Sequence, residues 1–319
     1  MRQILVYYAE KNASTVSRTL ETSVNRQDNT AGLRLKGVDH TARPTWKLKE
    51  TVEFYRDTLG LPLIHTISAR GWGPENHPDF LHFFFDSGNG STIAFFYYLG
   101  AQEPESMKHR PGQPPIPSDH IFDATHTSWL VDTKEELLAW KDKLESKGVE
   151  VSSATAHEVI ESIYFRDPNG YFIEITRKLR PVDESDARDA QLTLEAAIQL
   201  EAKSLETGGK AQSIDAIWNE KAGLLDQQLG SAGSNQALIR LYVLNVPEFS
   251  ALVEAARSQP GCTVSEADDN YVIIDAQEPI EFHRKQLNLK PAVWYGLFTG
   301  GLRGRIESFG RDTVRIVPN

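Results

Sequence analysis

"YFRDPNGYFIEITR" runs from Tyr164 to Arg177 and decides the fold. It reads as a strand, a tight turn and a second strand. Asp167, Pro168, Asn169 and Gly170 supply a preset φ, side chains that bond the local backbone, and a residue that tolerates positive φ. The second strand alternates, with Phe172, Glu174 and Thr176 on one face and Tyr171, Ile173 and Ile175 on the other. A carboxylate in mid-strand beside a phenyl ring needs a reason, because a lone strand glutamate is usually solvated.

Upstream of this hairpin the same order of elements occurs twice. "GVDHTAR" is a strand, "KLKETVEFYRDTLG" a helix ending at Gly60, and "LPLIHTIS", "DFLHFFFDSG" and "TIAFFYYLG" are three strands. A Pro-rich connection from Pro104 to Pro117 follows, read as a lid or a crossover. Then "DATHTSWLVD" is a strand, and "TKEELLAWKDKLESKG" a helix with Thr133 as N-cap, Glu136 as its capping-box partner and Gly148 at its end. "VEVSSAT", "HEVIESIYFRD" and "GYFIEITR" are again three strands. Two βαβββ units, residues 36–99 and 121–178, thus form an internal repeat within a domain spanning 36–180.

The flanks are read as follows. Residues 1–35 are an N-terminal extension, with "ILVYYA" as a strand and "STVSRTLETSV" as a short helix. Residues 181–235 form a helical linker of two helices, one striped by Leu192, Ala196 and Gln199, the other capped by Ser213 and Gly230. Residues 236–319 carry a third, degenerate βαβββ-like pattern and a final hairpin, a smaller α+β domain. The glycines of "GGLRGR" suit a turn or an anion cradle. The fold class is therefore α+β: tandem βαβββ modules in a cupped barrel, a helical linker and a C-terminal domain.

Bulk properties narrow the function. The chain has 319 residues, 40% of them hydrophobic, so it can bury a real core. A formal net charge of −10 offers no excess of cations to neutralise phosphates, which argues against a nucleic-acid partner. No apolar run approaches a bilayer span and the first residues lack a signal-peptide layout, so the expected location is cytoplasmic, with no membrane partner. Cys262 is the single cysteine and is read as a small core residue.

The repeat gives three residues matching places. His40 and His126 lie on the first strands of the two units, each followed by Thr, and Glu174 lies on the last strand of the second. Two imidazoles and one carboxylate leave several coordination positions open, an arrangement suited to Fe(II) and able to hold Mn(II), Zn(II) or Co(II). Strands hold ligands rigidly enough for such a site. The bland alternative is two packed histidines and a solvated glutamate.

"VEFYRDTLGLPL" and "YFRDPNGYFIEI" resemble the signature segments of the vicinal-oxygen-chelate superfamily, which includes glyoxalase I, bleomycin-resistance proteins and extradiol ring-cleaving dioxygenases. The resemblance covers residues 36–178 and implies a metal held by His40, His126 and Glu174. Glyoxalase-like isomerases usually add a fourth ligand on the last strand of the first unit, where this chain has Ala94. The three-ligand set is similar to the extradiol dioxygenases. In those enzymes a tyrosine ten residues before the glutamate bonds the substrate hydroxyl or bound oxygen, and here 174 − 10 gives Tyr164. Their acid–base histidine ahead of the last strand of the first unit is replaced by Ser91 and Thr92. His82 and His157 are the candidates to take its role, His157 two residues short of the family spacing. The family's two-domain enzymes place the metal in the C-terminal half, unlike this chain.

The expected function is a metal-dependent, Fe(II)-type dioxygenase acting on a catechol-like or related phenolic molecule with O₂. Trp46, Trp72, Phe83, Phe95, Phe96 and Tyr98 are candidates to wall its cup. The alternatives are a non-oxidative isomerase or lyase of the same fold, and a small-molecule binding or resistance protein. Residues 179–319 are expected to carry no catalytic metal and to support assembly, with the 184–206 helix pointing to a homodimer. The alternative there is that "AVWYGLFTGG" covers the cup as a lid.

Overall fold

The structure, a computed structural model, describes residues 37–71, 77–108, 124–207, 213–229, 239–267 and 271–319. The elements expected in residues 1–35, Trp72, Gly230 and most of the Pro104–Pro117 connection lie outside the described residues.

The first unit comprises β1 (His40–Thr45), α1 (Leu48–Val52), which runs on as a π-helical turn over Glu53–Thr58, β2 (Leu63–Ala69), β3 (Phe80–Gly88) and β4 (Ser91–Tyr98). Its sheet has the order β1-β4-β3-β2, with β1 parallel to β4 and the rest antiparallel. The second unit comprises β5 (Thr127–Leu130), α2 (Lys134–Ser146), β6 (Thr155–Ala156), β7 (Ile160–Arg166) and β8 (Phe172–Lys178). Its order, β5-β8-β7-β6 with β5 parallel to β8, repeats the first. The two sheets remain separate and form no closed barrel. "VEVSSAT" contributes only the two residues of β6, a shorter strand than its β-branched content suggests.

One apolar core joins the units. Phe54, Tyr55, Leu59, Phe83, Phe85, Ile93 and Phe95 of the first pack with Leu137, Leu144, Val151, Ile163, Phe165, Ile173 and Ile175 of the second. The Asp167–Gly170 turn ties them together with polar bonds. Asp167 accepts from the backbone N–H of Asn169 and Tyr171, which shapes the turn, and also from the Tyr55 hydroxyl at 3.0 Å. Asn169 donates to Thr51 and accepts from Thr45, both in the first unit. The turn that reads as local chemistry is therefore also the clasp between modules. Gly170 has φ 86°, the conformation glycine was expected to supply there.

Helices α3 (Glu184–Thr207) and α4 (Ile214–Gln228) form a pair rather than a bare linker. Leu192 of α3 and Trp218, Ala222 and Leu225 of α4 join the core of the C-terminal domain. That domain holds β9 (Ile239–Leu244), α5 (Ser250–Ser258), β10 (Cys262–Glu266), β11 (Tyr271–Ala276), β12 (Ile280–His283), α6 (Pro291–Tyr295), β13 (Leu302–Arg303), β14 (Arg305–Phe309) and β15 (Thr313–Val317). Its sheets run β10-β11-β9-β13 and β12-β15-β14. Here β9 pairs antiparallel with β11 and β13, whereas the first strand of each N-terminal unit pairs parallel with the fourth. The third pattern thus shares the order of elements but not the pairing. The glycines of "GGLRGR" serve packing: a β-carbon on Gly300 would stand 2.1 Å from the Tyr242 carbonyl oxygen, and one on Gly301 3.3 Å from the Ala222 backbone. The close approach of β9 and α4 accounts for Gly300 and Gly301, and that of β15 for Gly304, whose β-carbon would stand 3.3 Å from the Val317 carbonyl oxygen.

Candidate metal centre

On β8 the alternation puts Phe172, Glu174 and Thr176 on one face. Register pairs Glu174 with Tyr164 on β7 and with Ser128 on β5. His126 precedes β5 by one residue, and its Nε2 lies 3.0 Å from Glu174 Oε2, so the imidazole N–H donates to the carboxylate. Glu174 is 4% exposed, and its other oxygen, Oε1, is buried with no hydrogen-bond partner. A buried carboxylate oxygen left bare costs on the order of 1–3 kcal/mol or more unless something binds it. An imidazole and a half-satisfied carboxylate are donors that suit a divalent cation, and metal binding would replace the shared proton.

Next to this pair lies a second. His157 Nε2 is 2.8 Å from the Tyr164 hydroxyl. Tyr164 stacks on Phe172 with ring centroids 5.2 Å apart. Burial first, then the charge of Glu174, pushes the Tyr164 hydroxyl up to about 12, so it stays protonated at neutral pH and can donate. The structure thus brings four expected residues, His126, Glu174, Tyr164 and His157, onto one face of one sheet.

His40 and His82 lie on the other sheet. His40 is exposed, and its Nδ1 donates to Asp39 at 2.7 Å. His40 does not join the His126–Glu174 pair: among the described residues no group of three or more His, Cys, Asp or Glu is close enough to hold a metal. The Arg43 side chain bonds Thr127 beside His126, whereas His40 turns to Phe84 on its own sheet.

His82 is buried, donates from Nδ1 to the Phe95 carbonyl, and stacks on Phe96 with centroids 3.7 Å apart. Burial lowers its pKa. It forms part of an aromatic face with Phe84 and Phe96, on which His40 and His65 also touch Phe84. His65 was not singled out in the sequence; its alignment with Phe84 across β2 and β3 is the signal that finds it. Phe83 and Phe95 do not wall a cup: both point into the shared core. Trp46 lies against Tyr171 near the clasp.

The chain is similar to several known proteins. A family model described as the Glyoxalase/Bleomycin resistance protein/Dioxygenase superfamily matches residues 37–175. Biphenyl-2,3-diol 1,2-dioxygenase 2 of Rhodococcus globerulus is 40% identical over 50 residues, 16% of this chain and 26% of that protein. The chain thus matches about a quarter of that relative's length. A lactoylglutathione lyase from Agrobacterium tumefaciens is 20% identical with a TM-score of 0.31, over 46% of this chain and 96% of that one. A glyoxylase/bleomycin resistance protein/dioxygenase domain from a Frankia species is 19% identical with a TM-score of 0.34, over 47% and 96%. An antibiotic binding protein from a Streptomyces species is 16% identical with a TM-score of 0.31, over 46% and 98%.

Proposed function

We propose, from the premise that residues 37–175 are a domain of the Glyoxalase/Bleomycin resistance protein/Dioxygenase superfamily, that this chain is a metal-dependent dioxygenase opening the ring of a catechol-like small molecule. The observation that carries the reading is the bare, buried Glu174 Oε1 beside His126, within one sheet face of the Tyr164–His157 pair. His126 and Glu174 would hold the ion, and His40 is the residue we assign as third ligand. Fe(II) suits the donor set best; Mn(II), Zn(II) and Co(II) suit it too. A bound ferrous ion would supply the site for the diol and O₂ together.

The protein's own residues do the rest. Tyr164, protonated at neutral pH, donates to an oxygen of the substrate. His157 takes up or returns the proton through the 2.8 Å contact. Phe172, stacked on Tyr164, offers an apolar wall for an aromatic ring. The curated relative's name, biphenyl-2,3-diol 1,2-dioxygenase, favours a diol on an aromatic ring over a thiol adduct. No helix among the described residues is long and apolar enough to cross a membrane. A cytoplasmic homodimer is the setting we assign.

The test is oxygen uptake with catechol and biphenyl-2,3-diol after loading with ferrous iron, together with the metal content of the purified chain. Iron and oxygen consumption support the reading. Zinc or nickel without oxygen consumption points to an isomerase or lyase, and a chain that holds no metal but binds aromatics is a binding protein. Either result overturns the dioxygenase.

A further inference from the structure

The loop that carries His157 is gripped from outside its own domain. His157, Glu158 and Val159 link β6 to β7, closed by the His157 N–H to the Ile160 carbonyl at 2.8 Å. His157 faces Tyr164, and Glu158 reaches instead into a cavity of about 470 Å³ between this domain, α3 and the C-terminal domain. There a β-carbon on Gly296, the residue that ends α6, would stand 3.1 Å from Glu158 Oε1. Gly296 has φ −95°, so its backbone suits any residue, and the carboxylate is the tightest contact a β-carbon there would meet.

The same junction grips the end of β8. The Leu179 N–H donates to the Val159 carbonyl, so the loop and the strand end are tied. Arg180 follows at once. Its guanidinium makes two bonds to Asp186 of α3, at 2.6 and 2.8 Å, and its Nε donates to Glu248 of the C-terminal domain at 2.7 Å. Both strands that carry the candidate site are therefore fixed at the end nearest the C-terminal domain.

We propose that Glu158 is a positioning residue through which the C-terminal domain holds His157 against Tyr164. The proposal rests on the reading of Tyr164 and His157 as the proton-handling pair. Two residues apart in role but adjacent in chain, His157 and Glu158 sit on opposite sides of a tight loop, so displacing one turns the other. Burial also holds the Glu158 carboxyl above its ordinary range, consistent with a side chain pressed into the junction.

The experiment uses the full chain, metal-free for spectroscopy and ferrous-loaded for turnover. The ¹⁵N resonance of His157 Nε2 reports its bond to Tyr164, with Tyr164→Phe as the reference for a lost bond. Glu158→Ala, which empties the contact, and Gly296→Leu, which crowds it, should both move that resonance towards the Tyr164→Phe position. Glu158→Gln, which keeps the shape, should leave it in place. With biphenyl-2,3-diol the first two should lower kcat on the order of tenfold to a hundredfold at unchanged KM and metal content. A wild-type resonance in folded Glu158→Ala overturns the proposal, whatever Gly296→Leu does. A shifted resonance in a chain that oxidises no diol supports the clamp while sinking the dioxygenase reading, so the two failures are distinct.

Discussion

The two βαβββ units share pairing and register, yet their equivalent faces differ in kind. The first presents His40, His82 and His65 around Phe84 and Phe96, with His40, His65 and Ile67 exposed. The second presents Glu174, Tyr164, Ser162 and Thr176, with Glu174, Ser162 and Thr176 buried and Ser162 bonded to Thr176 at 2.9 Å. Duplication supplied one scaffold twice; only the second face combines a buried carboxylate, an imidazole and a protonated phenol. The first offers one outward imidazole and an aromatic floor. On the proposed reading, acid–base chemistry and two of the ligands fall to the second unit, and the first adds His40 and surface.

The sharpest way to break that contrast is to remove one ligand from each side. Glu174→Ala should abolish bound metal and activity together, because the carboxylate is the charged donor and the bare oxygen disappears with it. His40→Ala should weaken metal on the order of tenfold to a hundredfold and leave some bound. Metal content by elemental analysis checks both. Full metal in Glu174→Ala would end the assignment, and equal losses would mean that the two units share the site evenly.

Tyr164→Phe separates chemistry from binding. It should retain metal and lower kcat by about 10²–10⁴, the range for a lost proton-transfer partner. His82→Phe on the first unit should cost far less, since His82 is stacked on Phe96 and bonded to a backbone carbonyl on the unit without the carboxylate. Steady-state kinetics of the two variants decides whether proton handling is confined to the second unit.

Much of this was legible in the sequence because it is written in local chemistry. The capping box of α2 is present as read, with Thr133 Oγ1 accepting from the Glu136 N–H and Glu136 Oε2 from the Thr133 N–H. The repeat and its strand order follow from turns and periodicity. What failed to show is face and offset. "FLHFFFD" is apolar on both sides, so no alternation told Phe83 from Phe84, and the aromatics assigned to a cup are divided between core and surface. The candidate ligands come from matching places in the repeat. That the Arg43 side chain bonds Thr127 while His40 packs on Phe84 depends on how two sheets dock, which no single strand encodes. Spacing alone places His157 two residues short of the family position and does not show that its loop sets it against the Tyr164 hydroxyl.

The helices repeat the contrast between units in stability. α1 has no side-chain cap; its start is held by Asn169 of the second unit through Thr51, which also bonds Thr45. α2 is held by its own cap. Asn169→Ala should therefore cost about 2–3 kcal/mol, from buried partners left bare, against about 1 kcal/mol for Thr133→Ala. Urea unfolding followed by circular dichroism measures both. A larger loss for Thr133→Ala would show that the units stand on their own rather than on the clasp.

The smallest expected effect concerns the junction that both units lack and the C-terminal domain supplies. Burial raises the Glu158 carboxyl, and Glu248, Asp189 and Asp186 push it the same way, while Arg180 opposes them. Lys221 of α4, itself buried and bonded to Asp189, also feels the charge of Glu158. A carboxyl whose folded pKa lies above its unfolded one stabilises the fold most when protonated. That stabilisation is complete below the unfolded value, near 4.3, and is lost as pH rises through the folded value. Glu158→Gln stays neutral throughout and escapes the loss. The Tm of the natural chain minus that of Glu158→Gln should therefore fall as pH is raised from about 4 to 7. Asp312, half-exposed and held below its ordinary range by Arg284, runs the other way: the natural chain minus Asp312→Asn should fall only as pH drops below about 4. A flat difference for Glu158→Gln would mean that the carboxyl is hydrated at the junction and that the C-terminal domain grips the loop without burying its charge.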